Sequence, residues 1–366
     1  MSSIFALVTR TTTATCFLLS ASTSFAEPPR YTVSVPPLGS AYQYPIDLNK
    51  KGQIVAEVAD RNVLIAHLCS DRICTPIPTL ANDQINNPVY ARAMNDAGWV
   101  VGLSPTKESM HGFMFDGSAT VDLGAFAEDD CGGCSLVSYA NGINSQGQVV
   151  GMSETVDGNF RAYRWTAGVM KKLPTLGGAY SQAFAINDHG HIVGSASTRH
   201  GETHAFLLRH GEMQDLGVLG TGDFSEALAI NNRGQVVGNS ATVIGGTPEA
   251  FLYENGVMTA VPSPPGAFSV TAYDINANGW VVGSTYVTGF PNYAGYVFDG
   301  VSAYDLNLLL SESDQGDWLV MSAKSINKKG QIAAIGQSKK DNTRKVLLLT
   351  PTSPVANASN GAPYAD

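Results

Sequence analysis

Short apolar runs alternate with polar, glycine-bearing turns along almost the whole chain, and one such unit recurs seven times. The segments IDLNKKGQIVA, RAMNDAGWVVG, NGINSQGQVVG, FAINDHGHIVG, LAINNRGQVVG, YDINANGWVVG and KSINKKGQIAA place asparagines at 49, 95, 144, 187, 231, 276 and 327. A glycine follows each asparagine at the third position. Asn-x-x-Gly between two apolar runs predicts a hairpin. The asparagine side chain closes onto nearby backbone, and the glycine supplies the positive φ of a bulged turn. The β-branched run after it, such as Gln148-Val149-Val150-Gly151, predicts a short buried strand. A third strand follows a variable loop (VLIAHL, HGFMFD, RAYRWT, HAFLLR, EAFLYE, AGYVFD and KVLLLT). Tight turns such as Asp116-Gly117, Asn255-Gly256 and Asp299-Gly300 then lead into a fourth.

The repeat interval of 43 to 51 residues is that of a four-stranded propeller blade. The pattern therefore predicts an all-β, seven-bladed β-propeller of four-stranded antiparallel blades over residues 27–350. The seventh copy lacks a fourth strand, because KVLLLTPTS runs into a polar tail, 351–366, expected to be disordered with few contacts. At the other end, Thr32-Val33-Ser34-Val35-Pro36-Pro37-Leu38-Gly39 resembles the fourth strand Lys172-Leu173-Pro174-Thr175-Leu176-Gly177. The N-terminal strand is thus expected to complete the last blade and close the ring, leaving no open edge.

Composition adds the compartment and removes some partners. The first 26 residues read as a signal peptide: Arg10, then an apolar and small stretch, then Ser24-Phe25-Ala26 with small residues at the cleavage positions. That segment is too short to span a bilayer, and no later one is apolar enough, so no membrane insertion is expected. The reading is a secreted or periplasmic protein, and a monomer. With 22 basic and 31 acidic residues and no basic run, nucleic acid is not an expected partner. Four cysteines follow the signal segment, and an even count in an exported chain predicts two local disulfides, Cys69 with Cys74 and Cys131 with Cys134.

The chain resembles the extracellular HAF-repeat family, named for a His-Ala-Phe segment carried here by His204-Ala205-Phe206 beside the A-x-I-N-x-x-G-x-V-V-G unit. The resemblance covers nearly all of the chain after residue 26. It implies export and a repeat fold, and brings no catalytic residues.

Candidate chemistry is sparse. No nucleophile elbow, phosphate loop or calcium loop is present, the seven histidines lack ligand spacing, and neither metal nor cofactor is expected. Connectivity places the tight turns at one end of the propeller and the variable loops at the other, where binding is expected. Two residues before each asparagine the first strand carries Asp47, Ala93, Gly142, Ala185, Ala229, Asp274 and Ser325. Small residues suit converging blades, so Asp47 and Asp274 depart from the pattern. They are solvated or backbone-bonded fixtures, or a channel-facing carboxylate pair for cation binding or acid–base chemistry, or are instead neutralised by Arg92 and Lys324 one position earlier.

The loop Glu128-Asp129-Asp130-Cys131-Gly132-Gly133-Cys134 adds Asp129, and His200 completes the catalytic candidates. The binding candidates are Tyr90, Tyr139, Tyr180, Tyr286, Tyr293, Trp318, Arg199 and Asp223, with His111 in the same pool. The favoured function is a non-catalytic exported propeller binding a glycan, peptide or surface protein on its loop face. The alternative is an exported hydrolase or lyase working at the channel mouth.

Overall fold

The apolar runs become strands of seven four-stranded antiparallel sheets in a computed structural model describing residues 28–39, 42–60, 63–70, 72–81, 87–126, 135–288 and 292–355. Blade one runs Gln43–Leu48, Ile54–Asp60, Val63–Ser70 and Ile73–Pro76, and blades two to six repeat that order. Blade seven takes Trp318–Ile326, Ile332–Ser338 and Arg344–Pro351, then receives Tyr31–Ser34 as its outer strand. The closing register sets Tyr31 against Pro351 and Ser34 against Leu348, as expected from the orphan strand.

The ring is held at its tight-turn end by the asparagines. Each Oδ1 accepts backbone N–H groups two and four residues on: Asn187, for example, takes those of His189 and His191 at 3.1 and 3.0 Å. Each Nδ2 also donates to the backbone carbonyl of the next blade's asparagine. The chain of donors runs from Asn49 through Asn95, Asn144, Asn187, Asn231 and Asn276 to Asn327. Asn327 returns the bond to the Asn49 carbonyl at 2.9 Å. Seven buried amides thus form one closed circle. The turn glycines have φ between +74° and +95°, the left-handed value the hairpin requires.

The His-Ala-Phe segment also has a blade-joining role. His204 Nδ1 lies 2.9 Å from Asp215, the Ala205 N–H donates to Ser225 Oγ of the next blade at 2.8 Å, and Phe206 is fully buried. Blade two repeats this with His111 and Asp122, Gly112 and Ser138, and Phe113. Cys69 and Cys74 are disulfide-bonded across the hairpin of blade one's last two strands; Cys131 and Cys134 lie outside the described residues.

Two features near the closure add to the sequence reading. Short helices Leu306–Leu309 and Glu312–Asp317 fill the connection into blade seven. Asp305 and Ser311 cap them, and Leu306, Leu309 and Leu310 enter the core beneath the N-terminal strand. The tail expected from 351 makes contacts through 355: Thr352 N–H donates to the Arg30 carbonyl, and Val355 packs on the same core. Residues 356–366 and the signal segment 1–26 lie outside the described residues.

Candidate functional site

The first strand of every blade lines the central channel, and each carries a bulge at the same place. Register skips one residue between Pro45 and Asp47, Ala91 and Ala93, Ala140 and Gly142, and Ala183 and Ala185. It skips again between Ala227 and Ala229, Ala272 and Asp274, and Ala323 and Ser325. The facing position is glycine in five blades and alanine in blades one and seven (Ala56 and Ala334), always a small residue. A Cβ on Gly102, Gly151, Gly194, Gly238 or Gly283 would stand only 1.8–2.0 Å from a first-strand carbonyl oxygen. A bulge bends its strand and re-aims the unpaired side chain. The skipped residues are Ile46, Arg92, Asn141, Phe184, Leu228, Tyr273 and Lys324. All seven line both the channel, a cavity of about 290 Å³, and its wider mouth of about 470 Å³.

The mouth adds Tyr44, Tyr139, Met152 and Gln182. Lys324 Nζ sits 3.7 Å from the Tyr273 ring centroid and 5.2 Å from that of Tyr44, a cation held between two aromatic faces. Burial pushes the Tyr273 phenol up, but the Lys324 ammonium and hydrogen bonds from Ser284 and Thr271 outweigh it, leaving the phenol below its usual range. The result is a funnel with two cations, two amides and several aromatic faces. It can hold a flat or anionic group and hydrogen-bond its neighbours.

Asp47 and Asp274 lie deeper, and Ser325 brings them together. Its Oγ is 2.7 Å from Asp47 Oδ1 and 2.9 Å from Asp274 Oδ2. Each carboxylate also accepts the backbone N–H one residue ahead in its own strand and one from the next blade: Leu48 and Met94 for Asp47, Ile275 and Ile326 for Asp274. Burial raises both groups above the carboxylate range, and Asp47's charge adds to the rise at Asp274, which reaches about 6. One hydroxyl proton cannot serve two carboxylates at once, so a proton shared by the pair would satisfy the second contact. Neither Arg92 nor Lys324 is among the charges that shift these aspartates. Arg92 faces Glu57, whose carboxyl burial pushes up to about 7 while Arg92 pulls it down.

The remaining candidates spread over the loop end. Tyr139 reaches the mouth and packs edge-on against Phe160. Tyr90 is half-buried at the matching position of blade two. Tyr180 donates to Gln182 Oε1 at 2.7 Å, beside the mouth. Tyr286 and Tyr293 lie 4.6 Å apart on the rim of blade six. Trp318 packs on the core of blade seven, and Asp223 accepts the Gly245 N–H at 3.2 Å. Arg199 and His200 are exposed on blade four, and Asp129 lies outside the described residues. Sequence reasoning missed Tyr44, Asn141, Phe184, Leu228 and Tyr273. Reading the column three before each asparagine would have found all but Tyr44, had the bulge been foreseen.

Residues 179–365 match the family described as "Protein of unknown function (DUF3466)". No curated protein matches the chain. Among solved structures, the β-propeller domain of the Trilobed protease from Pyrococcus furiosus is similar with a TM-score of 0.57 at 9% identity, covering 91% of this chain and 100% of that one. That domain is described as having an open velcro topology, whereas here the N-terminal strand pairs with the last blade. A puromycin-hydrolyzing peptidase of Mycobacterium tuberculosis is similar at 11% identity and a TM-score of 0.57, covering 92% of this chain and 57% of that one. The acylaminoacyl peptidase of Pyrococcus horikoshii matches at 11% identity and a TM-score of 0.52, covering 88% and 54%. The chain spans about half the length of these two peptidases. Identities this low show a shared propeller fold.

Proposed function

The chain belongs to this family of proteins of unknown function, DUF3466, and from that premise we propose that it is an exported propeller that binds a peptide or glycan at its channel mouth without transforming it. The observation that carries the reading is the bulge ring: seven structurally equivalent positions, all turned into the channel, carry seven different side chains. Lys324 and Arg92 supply charge, Tyr44, Tyr139 and Tyr273 supply stacking faces, and Asn141 and Gln182 supply hydrogen bonds. The two aspartates act as fixtures between blades, since every carboxylate oxygen accepts at least one hydrogen bond from the fold. The cross-hairpin disulfide and the HAF-repeat resemblance support export.

One observation favours the competing hydrolase or lyase. Asp274 faces the channel cavity with its carboxyl raised to about 6, as a general acid requires. Screening the mature protein on peptide and glycan arrays, with parallel incubation on peptide and polysaccharide substrates, separates the two. Binding without turnover is expected. Turnover that Asp274→Asn abolishes would replace the binding reading with the enzymatic one.

A further inference from the structure

A second polar groove lies at the opposite, tight-turn end of the propeller, between blades three and four, with a volume of about 600 Å³. Its walls carry three cationic side chains, Arg164 and Lys171 from blade three and Arg209 from blade four, while the Lys172 ammonium turns away and stacks on Phe126 at 5.0 Å. Three imidazoles stand among them: His191 has its ring centroid 5.9 Å from that of His189 and 5.6 Å from that of His210. One carboxylate, Asp188, belongs to the lining, and it already accepts the Ser145 N–H at 2.9 Å and Asn232 Nδ2 at 2.8 Å. Glu212 lies opposite Arg209 in the hairpin register, outside the groove lining. In a chain of net charge −9, this is a local concentration of the opposite sign, which attracts anions.

The neighbouring groove, between blades four and five, shows what this one lacks. There Gln214 Nε2 donates across the blade boundary to the Tyr253 hydroxyl at 2.9 Å, and within blade five Gln235 Nε2 donates to Glu254 at 3.0 Å, so one side chain bridges the blades and a second bond braces the wall. Aligned on the repeat, Lys171 stands in the place of Gln214, Leu208 in that of Tyr253, and Arg209 in that of Glu254. A short apolar side chain and two cations thus replace three groups that bond to their neighbours. The cleft stays open, and its walls become donors.

We infer that this groove is a binding site for an acidic oligosaccharide, taking uronate carboxylates or sulfate esters. Guanidinium forks match the planar or tetrahedral oxyanion, Lys171 adds a point charge, and the Gln148 Nε2 group suits a sugar hydroxyl, its Oε1 accepting from Asn144 and the Gln146 Nε2 donating to the Asp188 carbonyl. The volume is that of a small-ligand site, and the exposed polar walls suit a hydrated chain rather than an apolar one. The cations are confined to one cleft instead of forming a track, which fits a short saccharide and not a nucleic-acid backbone.

Calorimetric titration at low salt with trigalacturonate, a heparin-derived tetrasaccharide and neutral maltotriose tests the assignment. At least one acidic probe binds, maltotriose does not, and the acidic probe that binds tells carboxylate from sulfate recognition. Arg164→Ala/Arg209→Ala weakens binding at least tenfold, while Lys340→Ala, on blade seven, leaves it unchanged. Lys171→Gln/Leu208→Tyr, which installs the neighbouring groove's bridge, weakens it similarly with the melting temperature retained. The assignment is overturned if neither acidic probe binds, if maltotriose binds equally, or if the bridged variant binds like the parent.

Discussion

Two rings of seven residues stand only three positions apart in the same strands, and they are built on opposite rules. At the tight-turn end the same residue occurs in every blade, because each asparagine must cap its own turn and donate to the next. On the channel wall the bulged position holds isoleucine, arginine, asparagine, phenylalanine, leucine, tyrosine and lysine. The bulge is a backbone feature that recurs opposite glycine in five blades and alanine in two, so it sets no rule for the unpaired side chain. Uniformity in a repeat protein marks what holds the blades together, and variation at an equivalent, inward-aimed position marks what a ligand can read.

The sharpest way to break that division is to remove the bulge. Gly194→Val puts a side chain where a Cβ already meets the Gln182 carbonyl at 2.0 Å, with Phe206 and Ala183 also within 3 Å. The strands must separate, and we expect a loss of about 3–5 kcal/mol, among the largest for a single substitution. Denaturant unfolding measures it. A loss below about 1 kcal/mol would show that the close approach is not what sets the bulge.

Asn327→Ala tests the other ring. Local turn bonds alone would put the loss at about 1 kcal/mol. The structure adds the buried bond that closes the circle onto Asn49 and a part-buried contact to Gln331 Oε1. Removing them strands buried N–H groups and a carbonyl, so a loss of about 2–4 kcal/mol is expected in the same unfolding measurement. A value near 1 kcal/mol would mean the circle adds nothing to the turns.

A smaller effect separates Asp274 as fixture from Asp274 as free carboxylate. Its folded value, about 6, lies above the ordinary 3.8, so the folded protein binds the proton more tightly than the unfolded chain. Stability from this group is therefore full below about pH 4 and lost as pH rises towards 6, by up to about 3 kcal/mol. Asp274→Asn should be less stable than the parent near pH 4 or equal to it, and gain relative to it by pH 7. Melting curves across that range check the sign; a parallel pair of profiles would contradict the assignment.

Much of the fold was legible because its signal is local and repeated. Asn-x-x-Gly fixes a hairpin by itself, seven copies fix the blade count, and the orphan strand at 31–34 finds its place by elimination. What sequence hid is relational. Nothing in Asn187 alone reveals that its amide reaches Asn231 in another blade. The bulge was hidden too, since strict alternation assigns Asp47 and Asp274 to the channel and overlooks Asn141, Phe184 and Tyr273 on the same wall. His204 drew attention as a motif residue, yet its partner Asp215 lies eleven residues away across a hairpin, where only the register joins them.

The most direct test compares two changes in one stretch of blade seven, using whichever peptide or glycan the arrays identify. Lys324→Met keeps the aliphatic stem and removes only the charge over Tyr273 and Tyr44, whereas Asn327→Ala cuts the circle. Affinity and melting temperature are measured for both. The account predicts that Lys324→Met weakens binding about tenfold at an unchanged melting temperature, while Asn327→Ala melts earlier and binds normally where folded. If Asn327→Ala lost affinity below its melting transition, or Lys324→Met bound like the parent, the channel mouth would not be the binding site.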